Sequence, residues 1–277
     1  MKKILVPLDF SKTSQNAFVY ALEMAKTFKA ELLLLHTFDL PIVDSQAMPI
    51  NYATLYETIE MANFDHFKEE MPILHSLAEE HKATHITLRH IMMDGELVYN
   101  IKKVIQQENI DFVVMGTNGA TGWLDSFIGT NTATVISDVS VPVLSVPATA
   151  KFQKIETIAF TTRFRQKDIE ALIKVLMLAK KMHAKVKCLY VKTPKSDVNT
   201  DTILRWQSHF EDEEHLQFFV IPNEDVNATI EDFLVDQDID VLAMLTYKRN
   251  FFVELFTTTT TQKLAQSLHT PIIALHE

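Results

Sequence analysis

Short apolar runs alternate with longer amphipathic stretches along the whole chain. The first half carries runs at 4–8 (ILVPL), 31–38 (ELLLLHTF), 85–92 (HITLRHIM), 111–116 (DFVVMG) and 141–147 (VPVLSVP). Between them lie segments of helical period. Phe18, Ala21, Leu22 and Ala25 make one apolar stripe behind Thr13, read as the N-cap. Leu97, Ile101, Val104 and Ile105 make another. Strands that are apolar throughout, alternating with one-sided helices, predict a parallel sheet covered on both faces. The stretch from Val43 to His81 is longer and less regular, and Pro72 is expected to break or kink its helix.

The second half repeats the pattern, with runs at 156–162, 185–191, 216–221, 240–246 and 270–276. ALEMAKTFKAELLLLH aligns without gaps on VLMLAKKMHAKVKCLY, and NIDFVVMGTNG on DIDVLAMLTYK. The interval from Met115 to Pro142 equals that from Met244 to Pro271. A spacing kept through strand, loop, helix and closing strand predicts two copies of one domain. Their expected extents are 1–147 and 155–277, with the second copy shortened opposite Val43–His81. The fold class is therefore α/β, as two tandem doubly wound open sheets, each mostly parallel and five-stranded.

Composition narrows this picture. The 277 residues are 47% hydrophobic and 22% charged, enough for sizeable cores. A net charge of -10 disfavours nucleic acid and anionic membrane as partners. Apolar runs stop well short of a bilayer span, and MKKILVPLDFS turns polar too early for a signal-peptide core, so the cytoplasm is the expected compartment. The single cysteine, Cys188, lies in an apolar run and reads as a buried small hydrophobe.

Candidate chemistry concentrates after the fourth run. Gly116, Gly119, Gly122 and Gly129 are four of the chain's five glycines. They serve either a loop turn and helix cap, or close backbone approach to a ligand. The second copy supplies an internal control. It places Leu245 at Gly116, Lys248 at Gly119, Thr258 at Gly129 and Arg163 at Asp9. A fold kept without these glycines does not need them, which favours a ligand. A loop leaving the carboxyl end of a strand and entering a helix near Thr130, Asn131 and Thr132 suits an anion, phosphate above all.

The spacing Gly116-x2-Gly119-x9-Gly129-Thr130 resembles the nucleotide-binding signature of the universal stress protein family. ILVPLDFS resembles that family's first strand with its aspartate, Asp9; LLLLHTF its second, with His36; and VPVLSVP its closing strand. The resemblance covers the whole chain as a tandem pair and implies an adenine-nucleotide alpha-hydrolase-like fold. It implies ATP as ligand, with Mg or Mn accompanying the nucleotide. Pro7, Asp9 and Thr37 would border adenine and ribose; Gly116, Gly119, Gly129, Thr130, Asn131 and Thr132 would hold the phosphates. The second copy departs at the loop and at Asp9, so one nucleotide per chain is expected. Family members pair through closing strands, which implies an intramolecular pseudo-dimer through 141–147 and 270–276; a homodimer of whole chains is a further expectation.

The other constellations are weaker. The 11 histidines form no HExxH, and HSLAEEH and EDEEH read as solvated helix faces. His36 reads as a strand-end histidine satisfied by a neighbour. The run 257–261 (TTTTT) reads as a helix start. No P-loop lysine, catalytic base or arginine finger stands out, so no catalytic residue is assigned. The leading expectation is a stress-response regulator that binds ATP and hydrolyses it slowly at most. The alternatives are a scaffold without nucleotide and a slow metal-dependent ATPase.

Overall fold

A computed structural model describes residues 1–39, 52–117, 130–246 and 269–276. Chain contacts divide it into two compact units, Met1–Met115 and Gly116–Glu277. Gly119, Gly122 and Gly129, with Lys248, Thr258 and the threonine run, lie outside the described residues.

The first unit alternates strand and helix: β1 (Lys3–Pro7), α1 (Lys12–Phe28), β2 (Glu31–Phe38), α2 (Tyr52–Glu80), β3 (Leu88–Asp94), α3 (Leu97–Glu108) and β4 (Phe112–Thr117), whose last residues pass into the second unit. The strand order is β3-β2-β1-β4, with parallel pairing throughout. Leu32, Leu33, Leu34 and Leu35 are all fully buried, as a strand covered on both faces requires. The edge strand β3 is largely accessible. It begins later than the apolar run suggests, because Ile86 N–H donates to Ala83 O and turns the chain before Leu88.

Three expectations change here. Ser11, not Thr13, caps α1: its hydroxyl accepts from Ser14 N at 3.2 Å, while Thr13 is buried. Val98 rather than Leu97 joins Ile101, Val104 and Ile105 on the buried face of α3. And α2 runs through Pro72 without ending. A proline removes one amide donor, but Leu74 and Ala78, both buried, anchor the helix beyond it.

The second unit holds α4 (Thr130–Asp138), β5 (Val143–Pro147), β6 (Thr157–Thr161), α5 (Gln166–Met182), β7 (Lys185–Lys192), α6 (Thr200–His209), β8 (Leu216–Pro222), α7 (Val226–Asp236), β9 (Val241–Thr246) and β10 (Ile272–His276). Its order is β5-β10-β9-β6-β7-β8. Pairing is parallel except between β10 and β5, which run antiparallel with Ile273 opposite Leu144. Cys188 is buried, and that burial raises its thiol well above the ordinary range. No described helix is long and apolar enough to cross a membrane.

The halves share hydrogen bonds position by position. Lys2 N and Lys3 N donate to Asp111 Oδ2 at 2.6 and 3.0 Å; Glu156 N and Thr157 N donate to Asp240 Oδ2 at 2.8 and 2.9 Å. Leu8 N donates to Leu35 O at 2.8 Å, and Thr162 N to Leu189 O at 2.9 Å. Phe10 and Phe164 follow the first strand of each half at φ 61° and 55°. Left-handed backbone is costly for a residue with a Cβ, so two phenylalanines held there at matching positions mark a common design.

Candidate functional site

The carboxyl end of β1 delivers Pro7, buried, and then Asp9, exposed. Asp9 Oδ1 accepts from Ser11 N at 3.0 Å and from Ser11 Oγ at 2.6 Å. This is an Asx turn: the carboxylate fixes Ser11, and Ser11 caps α1. Partial burial raises the Asp9 carboxyl, but hydrogen bonds from Ser11 and Ser14 outweigh it and its pKa falls below the usual carboxylate range. Asp9 thus stays ionised while its charge faces the surface.

Phe10 turns inward beside His36, with ring centroids 4.9 Å apart. His36 Nδ1 lies 2.9 Å from Leu8 O and ties the end of β2 to the segment after β1. The next residue, Thr37, is half-buried near the end of β2. Phe67 and His66 of α2 pack edge-on to Phe10 at 5.7 and 5.5 Å. An Asp-x-Ser pattern could have announced the Asx turn in the sequence; nothing in the spacing of His36, His66 and Phe67 announces their ring cluster.

In the second unit, Gly116 lies near the end of β4 and its carbonyl accepts from Thr132 Oγ1 at 3.2 Å. Thr132 is buried. A hydroxyl has one hydrogen to donate, so what Thr132 still offers an anion is its backbone N–H. Thr130 begins α4, and Asn131 beside it is exposed. The first turn of a helix has amide donors without intrahelical partners, and these three residues supply them. Gly119 and Gly129, the remaining expected phosphate contacts, lie outside the described residues.

The matching turn of the second half is built from different charges. Arg163 stands where Asp9 does, and the carboxylate has moved to Asp168, which matches Ser14. Asp168 is fully buried. Its Oδ2 accepts from Arg163 N at 2.8 Å, Thr162 Oγ1 at 2.9 Å and Arg165 N at 3.1 Å. Burial raises its pKa despite those bonds. Where one half presents an anion at the strand end, the other buries its anion and presents a cation.

Among the described residues no group of three or more His, Cys, Asp or Glu is arranged to hold a metal ion. In the HSLAEEH segment, His81 Nδ1 lies 3.0 Å from Glu23 Oε1.

Comparison with known proteins agrees with this architecture. The model of the universal stress protein family matches residues 1–147. The chain is 28% identical over 155 residues to universal stress protein MJ0577 of Methanocaldococcus jannaschii, spanning 52% of this chain and 94% of that protein. It is 27% identical over 145 residues to universal stress protein YxiE of Bacillus subtilis, spanning 52% and 97%. A solved universal stress protein from Archaeoglobus fulgidus shares the fold over 99% of this chain and 96% of its own, with a TM-score of 0.72 at 17% identity. The matching single-domain relatives account for about half of the chain, a layout that fits a tandem member, and the chain belongs to the universal stress protein family.

Proposed function

We propose that this chain is a stress-response regulator that binds one ATP, together with a divalent cation, through its N-terminal copy (1–147), with the copy at 155–277 lacking that site. Pro7, Asp9 and Thr37 border adenine and ribose in this reading. Gly116, Gly119, Gly129, Thr130, Asn131 and Thr132 hold the phosphates. One observation supports it: the second half keeps the strand pairing and matching backbone hydrogen bonds such as Leu8 N to Leu35 O and Thr162 N to Leu189 O, while its sequence replaces every glycine of the loop, with Leu245 buried at the place of Gly116. Glycines that the fold does not need are explained by the close approach of a ligand's phosphates. The cation rides on the nucleotide's phosphates, and occupancy rather than turnover is the signal. The cytoplasm is the proposed compartment, and a homodimer the proposed assembly.

The test is mass spectrometry of small molecules released from the denatured, purified chain. Adenine nucleotide near one per chain is expected, and Gly119→Lys, which installs the second copy's residue, should release none while folding normally. A chain that purifies empty and does not take up ATP with magnesium would overturn the proposal.

A further inference from the structure

Phe10 is the centre of a ring cluster in the first half. His36 of β2 stands 4.9 Å from it and His66 of α2 5.5 Å. Phe67 of α2 joins at 5.7 Å and meets His90 of β3 at 5.6 Å. The second half keeps the cluster and replaces its strand histidines. Strand register sets Leu35 opposite Pro7 and Leu189 opposite Thr161, so the residues that follow, His36 and Tyr190, match. Leu34 lies opposite His90 and Cys188 opposite Phe218, so His90 matches Phe218. Phe164, the counterpart of Phe10, meets Tyr190 at 5.0 Å, Trp206 of α6 at 5.0 Å and Phe218 at 6.4 Å. His209 of α6 is exposed and meets Phe210, at 4.7 Å. A core that packs with rings that do not titrate near neutral pH does not need histidines for packing.

The first-half cluster holds both neighbours of Asp9. His36 is buried, and its Nδ1 donates to Leu8 O at 2.9 Å, which leaves Nε2 to take up a proton. The Phe10 ring lies against His36 and His66. Burial lowers the His90 pKa, and the charge of His75 on α2 lowers it further. Arg89, next to His90 in β3, is engaged elsewhere: it bonds to Glu108 at 2.8 and 3.1 Å and lies 3.8 Å from Glu31 of β2. On α2, Lys68 pairs with Asp65 and lies over the Phe64 ring, Glu69 is exposed and Glu70 half-buried. A histidine whose folded pKa lies below its unfolded value gives stability that is complete while the ring is neutral and is lost as pH falls through the folded value. We propose that His36, His66 and His90 form a pH-sensitive latch: as they gain protons, α2 loosens from β2 and β3, and the turn that holds Asp9 loosens with it. Acidification thereby lowers nucleotide affinity. The latch stands on the cluster; only its effect on nucleotide rests on the proposed ATP site.

The experiment is hydrogen exchange of the full chain without nucleotide, at about pH 7.5 and about pH 5.5, where histidines change charge, with amide rates corrected for their intrinsic pH dependence. Protection of α2 should fall about tenfold on acidification, and that of α6 by less than about threefold. The double variant His36→Tyr with His90→Phe, which installs the second half's residues, should hold the α2 loss below about threefold. A second pair, His36→Gln with His90→Gln, also lacks the titrating rings and should flatten the response in the same way, even if the aromatic pair disturbs folding. Equal α2 protection in the parent at both pH values, or the parent's full loss retained in a folded double variant, would overturn the latch. Calorimetric titration with ATP and magnesium at the same two pH values tests the coupling. The parent should lose about tenfold more affinity than the double variant, the nucleotide's own titration being common to both. Equal losses would overturn the coupling to Asp9. Absence of ATP binding at both pH values would overturn the nucleotide site and the coupling with it, while exchange still decides the latch.

Discussion

Lys29 and His183 close the first helix of each half in the same left-handed conformation, φ 52° and 57°. The alanine after each is buried and donates its N–H back into the helix, Ala30 to Ala25 O at 3.1 Å and Ala184 to Ala179 O at 2.9 Å. Both left-handed side chains are exposed, so neither contributes packing that offsets the strain. Glycine adopts this conformation without penalty but is freer in the unfolded chain. Lys29→Gly and His183→Gly should therefore each stabilise their unit by about 0.5–1 kcal/mol. Denaturant melts check this; destabilisation by either would show that the side chain does more than end a helix.

Asp9 has two separable roles. Asp9→Asn keeps an oxygen for Ser11 N and Ser11 Oγ but removes the charge. Asp9→Ala removes both. The alanine variant should lose about 1 kcal/mol of stability through the weakened cap, and the asparagine variant much less. Both should weaken ATP binding about tenfold, equivalent to about 1.4 kcal/mol. Thermal melts and calorimetry separate the two effects. ATP affinity unchanged in Asp9→Asn would leave Asp9 a purely structural residue.

Glu108 bonds to Arg89 Nη1 and Nη2 at 2.8 and 3.1 Å and to Lys3 Nζ at 3.2 Å. Hydrogen bonds from Arg89, then Lys3, lower its pKa from 4.5 to about 2. A folded pKa below the unfolded one gives stability that is present above about 4.5 and lost as pH falls towards about 2. Glu108→Gln should flatten that part of the stability–pH curve, and added salt should weaken the effect in the parent chain. An unchanged acid limb in the variant would assign the loss to other carboxylates.

The sequence exposed the strand-and-helix alternation because buried strands such as Leu32–Leu35 leave an unbroken apolar signature. It misjudged places where hydrogen bonding decides. Ser11 rather than Thr13 caps α1 because Asp9 reaches forward to it, and a turn at Ala83 and Ile86 shortens the front of β3. Pro72 was expected to break or kink α2; the helix is not broken there, with Phe67 and Leu74 buried on either side of it. For the candidate site, residue types were legible and commitments were not. Thr132 was expected at the phosphates, yet its hydroxyl hydrogen goes to Gly116 O.

The antiparallel pairing of β5 with β10 sets Ser145 opposite Ile272 and Val143 opposite Ala274. Val143, Leu144, Ser145 and Val146 are all buried. A chain ending at Ala150 lacks β10 and leaves this apolar strand without that partner, and uncovered edges invite pairing. Light scattering of that truncation should show dimers or larger species at concentrations where the full chain does not aggregate. A monomeric, soluble truncation would mean that β10 is not needed to cover β5.

One nucleotide per chain is the central claim, and calorimetric titration of the full chain with ATP and magnesium tests it most directly. The glycine-bearing half should bind and the half with Leu245 and Arg163 should not, giving a stoichiometry near one. A stoichiometry near two, or no binding at all, would contradict the account.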